Sequence, residues 1–197
     1  QVPKLPEADS GGTAASFYGI PVDSDHVTFV IDQSGSMSAT DTSGVAGATG
    51  TKDAPPNRLD AAVREVLRVL GQIPDGAYAN VIFFHTTIQS WEDGLVRLGK
   101  KKRGELEKHL LQQRPTGGTN LYDGLETALL DPEVDTILLL SDGVPGSGRY
   151  TATEDILRAV RRVNQTRRIV IHCVSLGRDS DLLRRLAEEN SGKYARR

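Results

Sequence analysis

The sequence predicts an α/β fold in which a mostly parallel sheet is covered by helices on both faces. Two observations carry that expectation. Short runs of β-branched and aromatic residues recur along the chain, as in Val27-Thr28-Phe29-Val30-Ile31 and Val81-Ile82-Phe83-Phe84. Runs of this kind mark strands buried on both faces. Between them stand segments with apolar residues at helical spacing, such as Leu59, Ala62, Val63, Val66, Leu67 and Leu70. Helical crossovers between strands leave those strands parallel.

Residues 1–25 are read as an N-terminal arm or linker, because 1–16 is rich in Pro, Ser, Gly and Ala without a period. Within it, Phe17-Tyr18-Gly19-Ile20-Pro21 is apolar enough to pack on the edge of a core. Its Pro and Gly deny it a central strand. The domain proper is placed at 26–197, with a first strand over 27–31. Ser38 to Pro56 is dominated by Gly, Ala, Ser, Thr and Asp. It has almost nothing large and apolar to bury, so a long loop open to proteolysis is expected there. Asn57 and Asp60 are placed to cap the next helix reciprocally, and Pro74-Asp75-Gly76 ends it.

A strand over 81–84 and another over 87–91, joined by a tight turn, predict one antiparallel edge. Lys100 to Arg114 reads as a charged helix with Leu106, Leu110 and Leu111 inward. A helix over 120–130 and a strand over 136–140 follow. Thr151 to Asn164 is a further helix, opened by a capping box between Thr151 and Glu154. The order closes with a strand over 169–174, a helix over 181–189 and a short edge strand over 193–196.

Composition narrows the function classes. The chain has 197 residues, 38% hydrophobic and 25% charged, which is enough for a real core. Twenty-four Lys and Arg face 26 Asp and Glu, for a net charge of −2. That balance argues against a nucleic-acid partner or a membrane-surface polyelectrolyte. The distribution is uneven, however: residues 153–197 hold 11 basic and 6 acidic side chains. A single cysteine, Cys173, excludes an intramolecular disulfide and a thiolate zinc cluster. No apolar run approaches the ~20 residues that cross a bilayer, so no membrane insertion is expected. The chain opens on Gln1 without a visible signal peptide, as expected of a processed protein or an excised fragment.

Three short segments carry the chemistry. Asp32-Gln33-Ser34-Gly35-Ser36-Met37 follows the first strand. Thr116-Gly117-Gly118-Thr119-Asn120 precedes a helix. Leu140-Ser141-Asp142-Gly143 follows another strand. Loops after parallel strands share one edge of the sheet, where such folds bind ligands. The groups gathered there are two carboxylates and three hydroxyls. An all-oxygen set suits a hard cation, Mg2+ in particular, which keeps waters and takes one or two carboxylates.

Asp32-Gln33-Ser34-Gly35-Ser36 resembles the D-x-S-x-S motif of von Willebrand factor A domains and integrin inserted domains. Thr119 in Gly-Gly-Thr-Asn and Asp142 in Ser-Asp-Gly match the other two elements of that family's metal-ion-dependent adhesion site. The resemblance spans roughly 26–197, including the closing Leu186-Ala187-Glu188 and Gly192-Lys193-Tyr194. It implies a three-layer α/β/α sandwich, a doubly wound sheet of Rossmann-like form with one antiparallel edge strand. It also implies a metal site for Mg2+ or Mn2+ at Asp32, Ser34, Ser36, Thr119 and Asp142. There Ser34, Ser36 and Thr119 touch the ion, and Asp32 and Asp142 bind it directly or through waters. The remaining position goes to an Asp or Glu of a protein partner. The implied role is non-catalytic, metal-dependent adhesion or scaffolding within a larger polypeptide, in an extracytoplasmic or cell-surface setting. The resemblance leaves open a subunit-docking role in an AAA-type chelatase or chaperone machine.

An enzymatic reading has less to stand on. A Mg2+-dependent hydrolase using Asp32 as nucleophile wants a second acid nearby, and position 34 holds Ser. Neither a G-x-S-x-G elbow nor a P-loop occurs. His85 and His172 read as satisfied strand residues, Cys173 as an inert core thiol, and Trp91 as the cap of an apolar edge. Lys100 to Arg103 reads as a solvated helix start, and Tyr122 as a packing residue.

Overall fold

The computed structural model describes residues 15–41 and 56–197. Its strands in chain order are β1 (Ser16–Phe17), β2 (Ile20–Pro21), β3 (His26–Asp32), β4 (Tyr78–Phe84), β5 (Ile88–Ser90), β6 (Val96–Arg97), β7 (Thr136–Ser141), β8 (Val170–Ser175) and β9 (Tyr194–Arg196). The helices are α1 (Arg58–Gln72), α2 (Lys100–Leu111), α3 (Leu121–Leu130), α4 (Thr153–Arg167) and α5 (Asp181–Glu189). The main sheet runs β5-β4-β3-β7-β8-β9, and β6 also pairs with β4. Strands β4, β3, β7, β8 and β9 are mutually parallel. Strands β5 and β6 lie antiparallel on the two ends of β4. The mostly parallel sheet with an antiparallel edge is therefore present, and β6 extends that edge beyond the expected strand.

Alternation along each strand divides the core in two, because successive side chains point to opposite faces. Val27, Phe29 and Ile31 of β3 join Val81 and Phe83 of β4 under α1 and α2. Val30, Ile82 and Phe84 face the other way, against α3, α4 and α5. Every one of these strand residues is at most 2% exposed. The β1–β2 hairpin turns on Tyr18 and Gly19, both at positive φ, which suits a two-residue turn. Its Phe17 is fully buried in the first core, so the apolar stretch does pack on the edge.

The helix ends show where local signals and tertiary contacts agree and where they do not. Asn57 caps α1 as expected, its Oδ1 accepting from the Asp60 amide at 2.8 Å. The proposed capping box on α4 does not form. Ala152 is the cap residue and offers no side-chain bond, and Glu154 instead pairs with Arg185 of α5. Leu111 is 54% exposed, not inward, because it is the last residue of α2 and points away from the face of Leu106 and Leu110. The basic run at 100–103 is more than a solvated start. Arg103 donates to the carbonyls of Leu70, Ile73 and Pro74, closing the C-terminal end of α1. Arg167 does the same for α3 through Leu129, Asp131 and Val134.

The remaining residues take the expected bland roles. Trp91 packs against the first core with Lys102 over its ring, and Cys173 is buried, its thiol pushed up by burial. Tyr122 packs edge-on to Tyr150. His172 accepts from the Lys193 amide through Nδ1 at 3.0 Å, which requires a neutral nitrogen. Burial, helped by Lys193, lowers its pKa below the ordinary 6.5, against a smaller opposing pull from Asp23. The folded state therefore binds fewer protons than the unfolded chain in the window below pH 6.5. Stability is full above that pH and is lost as pH falls toward the lowered value. Urea denaturation between pH 7.5 and 5 should show this decline, to which His109, also lowered by burial, adds, and His172→Gln should reduce it.

Candidate metal centre

The site forms where β3 and β7 end side by side. Asp32 is the last residue of β3 and Ser141 the last of β7, and the two strands are parallel neighbours. The Asp32 carboxylate is fully buried. Its Oδ1 accepts from the Ser34 amide at 2.8 Å, and its Oδ2 accepts from the Ser141 hydroxyl. A short 3-10 turn over Gly35–Ser38 follows, anchored by fully buried Met37. That turn brings Ser34 Oγ to 3.0 Å from Ser36 Oγ. Ser36, on the exposed side, donates to Asp142 Oδ1 at 2.7 Å.

Backbone bonds lock the second segment onto the first. Gly35 donates to the Gly117 carbonyl at 3.0 Å, and Thr116 donates to the Gln33 carbonyl at 2.8 Å. Gly117 has φ +67°, and a Cβ there would stand 2.7 Å from Thr86 Oγ1, so only glycine fits this crossing. The turn delivers Thr119, 9% exposed, to the same place. Thr119 Oγ1 and Ser36 Oγ lie 3.6 and 3.7 Å from the point where a Cβ on Gly143 would sit. All five side chains singled out in the sequence thus converge at one sheet edge.

Two participants escaped the sequence reading. Ser141 holds the inner oxygen of Asp32, and its place one residue before Asp142 was a usable signal. Arg58 donates to Asp142 Oδ2 at 2.6 Å from the first turn of α1. Nothing local in the sequence announces that contact, which spans 84 positions.

The electrostatics are asymmetric. Burial pushes the Asp32 carboxyl above the usual carboxylate range; the Ser141 and Ser34 hydrogen bonds oppose that push, and the neighbouring Asp142 charge adds to it. Asp142 has the Arg58 guanidinium as counter-ion, whereas among the described residues no basic side chain forms an ion pair with Asp32. A buried carboxylate without a counter-charge is costly. The donor set is all oxygen, two carboxylates and three neutral hydroxyls, and it fits a hard divalent cation. At the opposite end of the sheet, Asp25, His26 and Asp135 also cluster, but that group is largely exposed. There Asp135 accepts from Ser24, and His26 bonds to Asp25.

Compared with known families, residues 25–195 match the model of the von Willebrand factor type A domain. The chain belongs to this family. Among curated relatives of this von Willebrand factor A domain, human inter-alpha-trypsin inhibitor heavy chain H2 is 28% identical over 183 residues, 85% of this chain and 17% of that protein. Rat heavy chain H3 is 27% identical over 193 residues, 91% of this chain and 20% of that protein. The domain therefore spans about a fifth of these relatives. A von Willebrand factor type A structure from Catenulispora acidiphila superposes with a TM-score of 0.68 at 20% identity, covering 90% of this chain and 40% of the other. Pilus adhesin SpaC from Lactobacillus rhamnosus GG gives 0.59 at 15% identity, covering 88% of this chain and 28% of the adhesin. These likenesses establish the three-layer von Willebrand A fold. Among the described residues no helix is long and apolar enough to cross a membrane.

Proposed function

We propose that this domain binds Mg2+ or Mn2+ at the Asp32–Ser34–Ser36–Thr119–Asp142 cluster and uses the ion to hold an Asp or Glu of a protein partner, without catalysis. The observation that carries the reading is the Asp32 carboxylate: fully buried, set beside a second carboxylate, and matched by no basic side chain among the described residues. A divalent ion supplies the missing positive charge and an electrophile for an incoming carboxylate. Ser34, Ser36 and Thr119 would contact it as neutral oxygens. Asp32 and Asp142 would bind directly or orient its waters. Where the two carboxylates act through waters, the three neutral hydroxyls in contact leave the ion electrophilic, which favours one more anionic ligand from outside.

The surroundings suit such a partner. Strands β8 and β9 end at the same edge as β3 and β7, and exposed Arg178 and Arg196 stand there. Val144, two residues after Asp142, is 77% exposed and offers an apolar contact beside the ion. An adhesive or scaffolding role in an extracytoplasmic setting agrees with the pilus adhesin that shares the fold.

Isothermal titration of Mg2+ and Mn2+ into metal-stripped protein tests the site. Wild type should bind one ion, and Asp32→Ala should lose about tenfold or more in affinity. Equal binding by both would dismiss the assignment. Circular dichroism of the variant separates loss of ligand from loss of fold.

A further inference from the structure

We propose that Arg58 is a tethered counter-cation of the metal centre: it neutralises Asp142 in the metal-free domain and sets how tightly the centre holds its ion. The inference rests on the metal reading above. Its basis is the Arg58 Nη1 to Asp142 Oδ2 contact of 2.6 Å, in which the Asp142 side chain has no exposed surface and that of Arg58 is 23% exposed. The other oxygen of the same carboxylate takes the Ser36 hydroxyl. Asp142 thus joins the hydroxyl ligands on one side to a fixed positive charge on the other.

The place of this guanidinium is built by three elements. Asn57 caps α1 and fixes Arg58 as its first helical residue. The Arg58 amide donates to the Ala39 carbonyl at 3.0 Å, tying the helix start to the turn that carries Ser36. Gly177, after β8, lies under the guanidinium; a Cβ there would stand 2.4 Å from Arg58 Nη2. Gly177 also has φ +85°, so its backbone too favours glycine. A bulkier residue would displace the arginine from Asp142.

Two consequences follow from the charges. Without metal, Arg58 relieves the cost of burying Asp142 beside Asp32. With metal, the guanidinium repels a second cation held by the same carboxylate, lowering affinity for the ion. Because its charge also withdraws part of Asp142 from the ion, the ion stays more electrophilic toward a partner.

The test compares wild type, Arg58→Gln and Arg58→Lys by titration of Mg2+ alone and by thermal melting with and without Mg2+. Arg58→Gln should bind Mg2+ about tenfold or more tightly, the scale set by removing one charge from the neighbourhood of a divalent ion. It should melt lower than wild type in chelator and gain more from added Mg2+. Arg58→Lys keeps the charge and should stay near wild-type affinity. Equal or weaker binding by Arg58→Gln overturns the proposal and leaves the metal site standing. An Arg58→Lys that binds as tightly as Arg58→Gln overturns it too, since geometry would then be the cause. Absence of Mg2+ binding in all three removes the metal reading itself, and this inference with it.

Discussion

Capture of a partner by this domain is expected to fall about thirtyfold or more when Mg2+ is removed, and to fall as far with Mg2+ present when Asp142 is replaced by alanine. A carboxylate on a metal, desolvated at the centre of an interface, behaves as a hot spot worth ~2 kcal/mol or more. That energy corresponds to about thirtyfold in affinity. Asp142 is the residue to change because its carboxylate is shared between the Ser36 hydroxyl of the proposed metal centre and Arg58. It sits in the loop after β7, outside both apolar cores, and the freed Arg58 side chain is partly exposed and can reach water. The fold should therefore survive the substitution. Pull-downs in Mg2+, in EDTA and with Asp142→Ala bait, quantified against input, make the comparison. Chelator supplies the control that no mutation can, since it leaves every side chain in place. Equal recovery in all three would put the binding surface elsewhere on the domain.

Replacing Gly192 by alanine is expected to cost about 4 kcal/mol or more, most of the stability of a domain at the low end of the usual ~5–15 kcal/mol. A Cβ at this position would stand 1.8 Å from the Ile171 carbonyl oxygen and 2.4 Å from its carbon. Those atoms belong to the backbone of β8, a sheet strand between β7 and β9, and cannot swing aside as a side chain can. Gly192 lies between α5 and β9, and its amide donates to the Ala187 carbonyl at 2.8 Å. The chain passes this close because the next residues enter the ladder, where the Cys173 amide donates to the Lys193 carbonyl. Thermal and urea denaturation of Gly192→Ala should show either a large loss or no folded protein. A change within 1 kcal/mol would mean that β9 can shift along the sheet. Leu111→Ala is a suitable neutral control, because Leu111 is more than half exposed.

The layer architecture was legible from the period of the apolar residues. The runs in β3, β4 and β7 have no polar face, so only a sheet covered twice can bury them. The intervening helices carry one apolar face each, which supplies the covers. The convergence of the five candidate residues was legible for a related reason. Each stands at the end of a strand or the entry of a helix, and parallel strands deliver such positions to one edge whatever the details of packing. Asn57 was readable too, since a cap acts on its own helix. By contrast, Thr151 and Glu154 spelled a capping box that did not form. The helix takes Ala152 as its cap, one residue past Thr151, so the box is out of frame, and Glu154 pairs with Arg185 on a different helix. The loop expected over 38–56 is described only at its ends, where Thr40 and Asn57 pair across its base, and its interior lies outside the described residues.

Tertiary structure alone decided the contacts between residues far apart in the chain. Arg58 meets Asp142 across 84 positions, Arg103 closes the end of α1 from α2, and Arg167 closes α3 from α4. An arginine reads the same in sequence whether its guanidinium faces water or three carbonyls. What separates those cases is a long flexible side chain finding unpaired acceptors that folding has brought near. Gly192 belongs with them: its place in the sequence marks a turn, but only the distance to the Ile171 carbonyl shows why a side chain there has no room. Local periodicity and strand ends are fixed by neighbours in sequence, whereas the charge around Asp142 is fixed by neighbours in space, and those exist only once the sheet has formed.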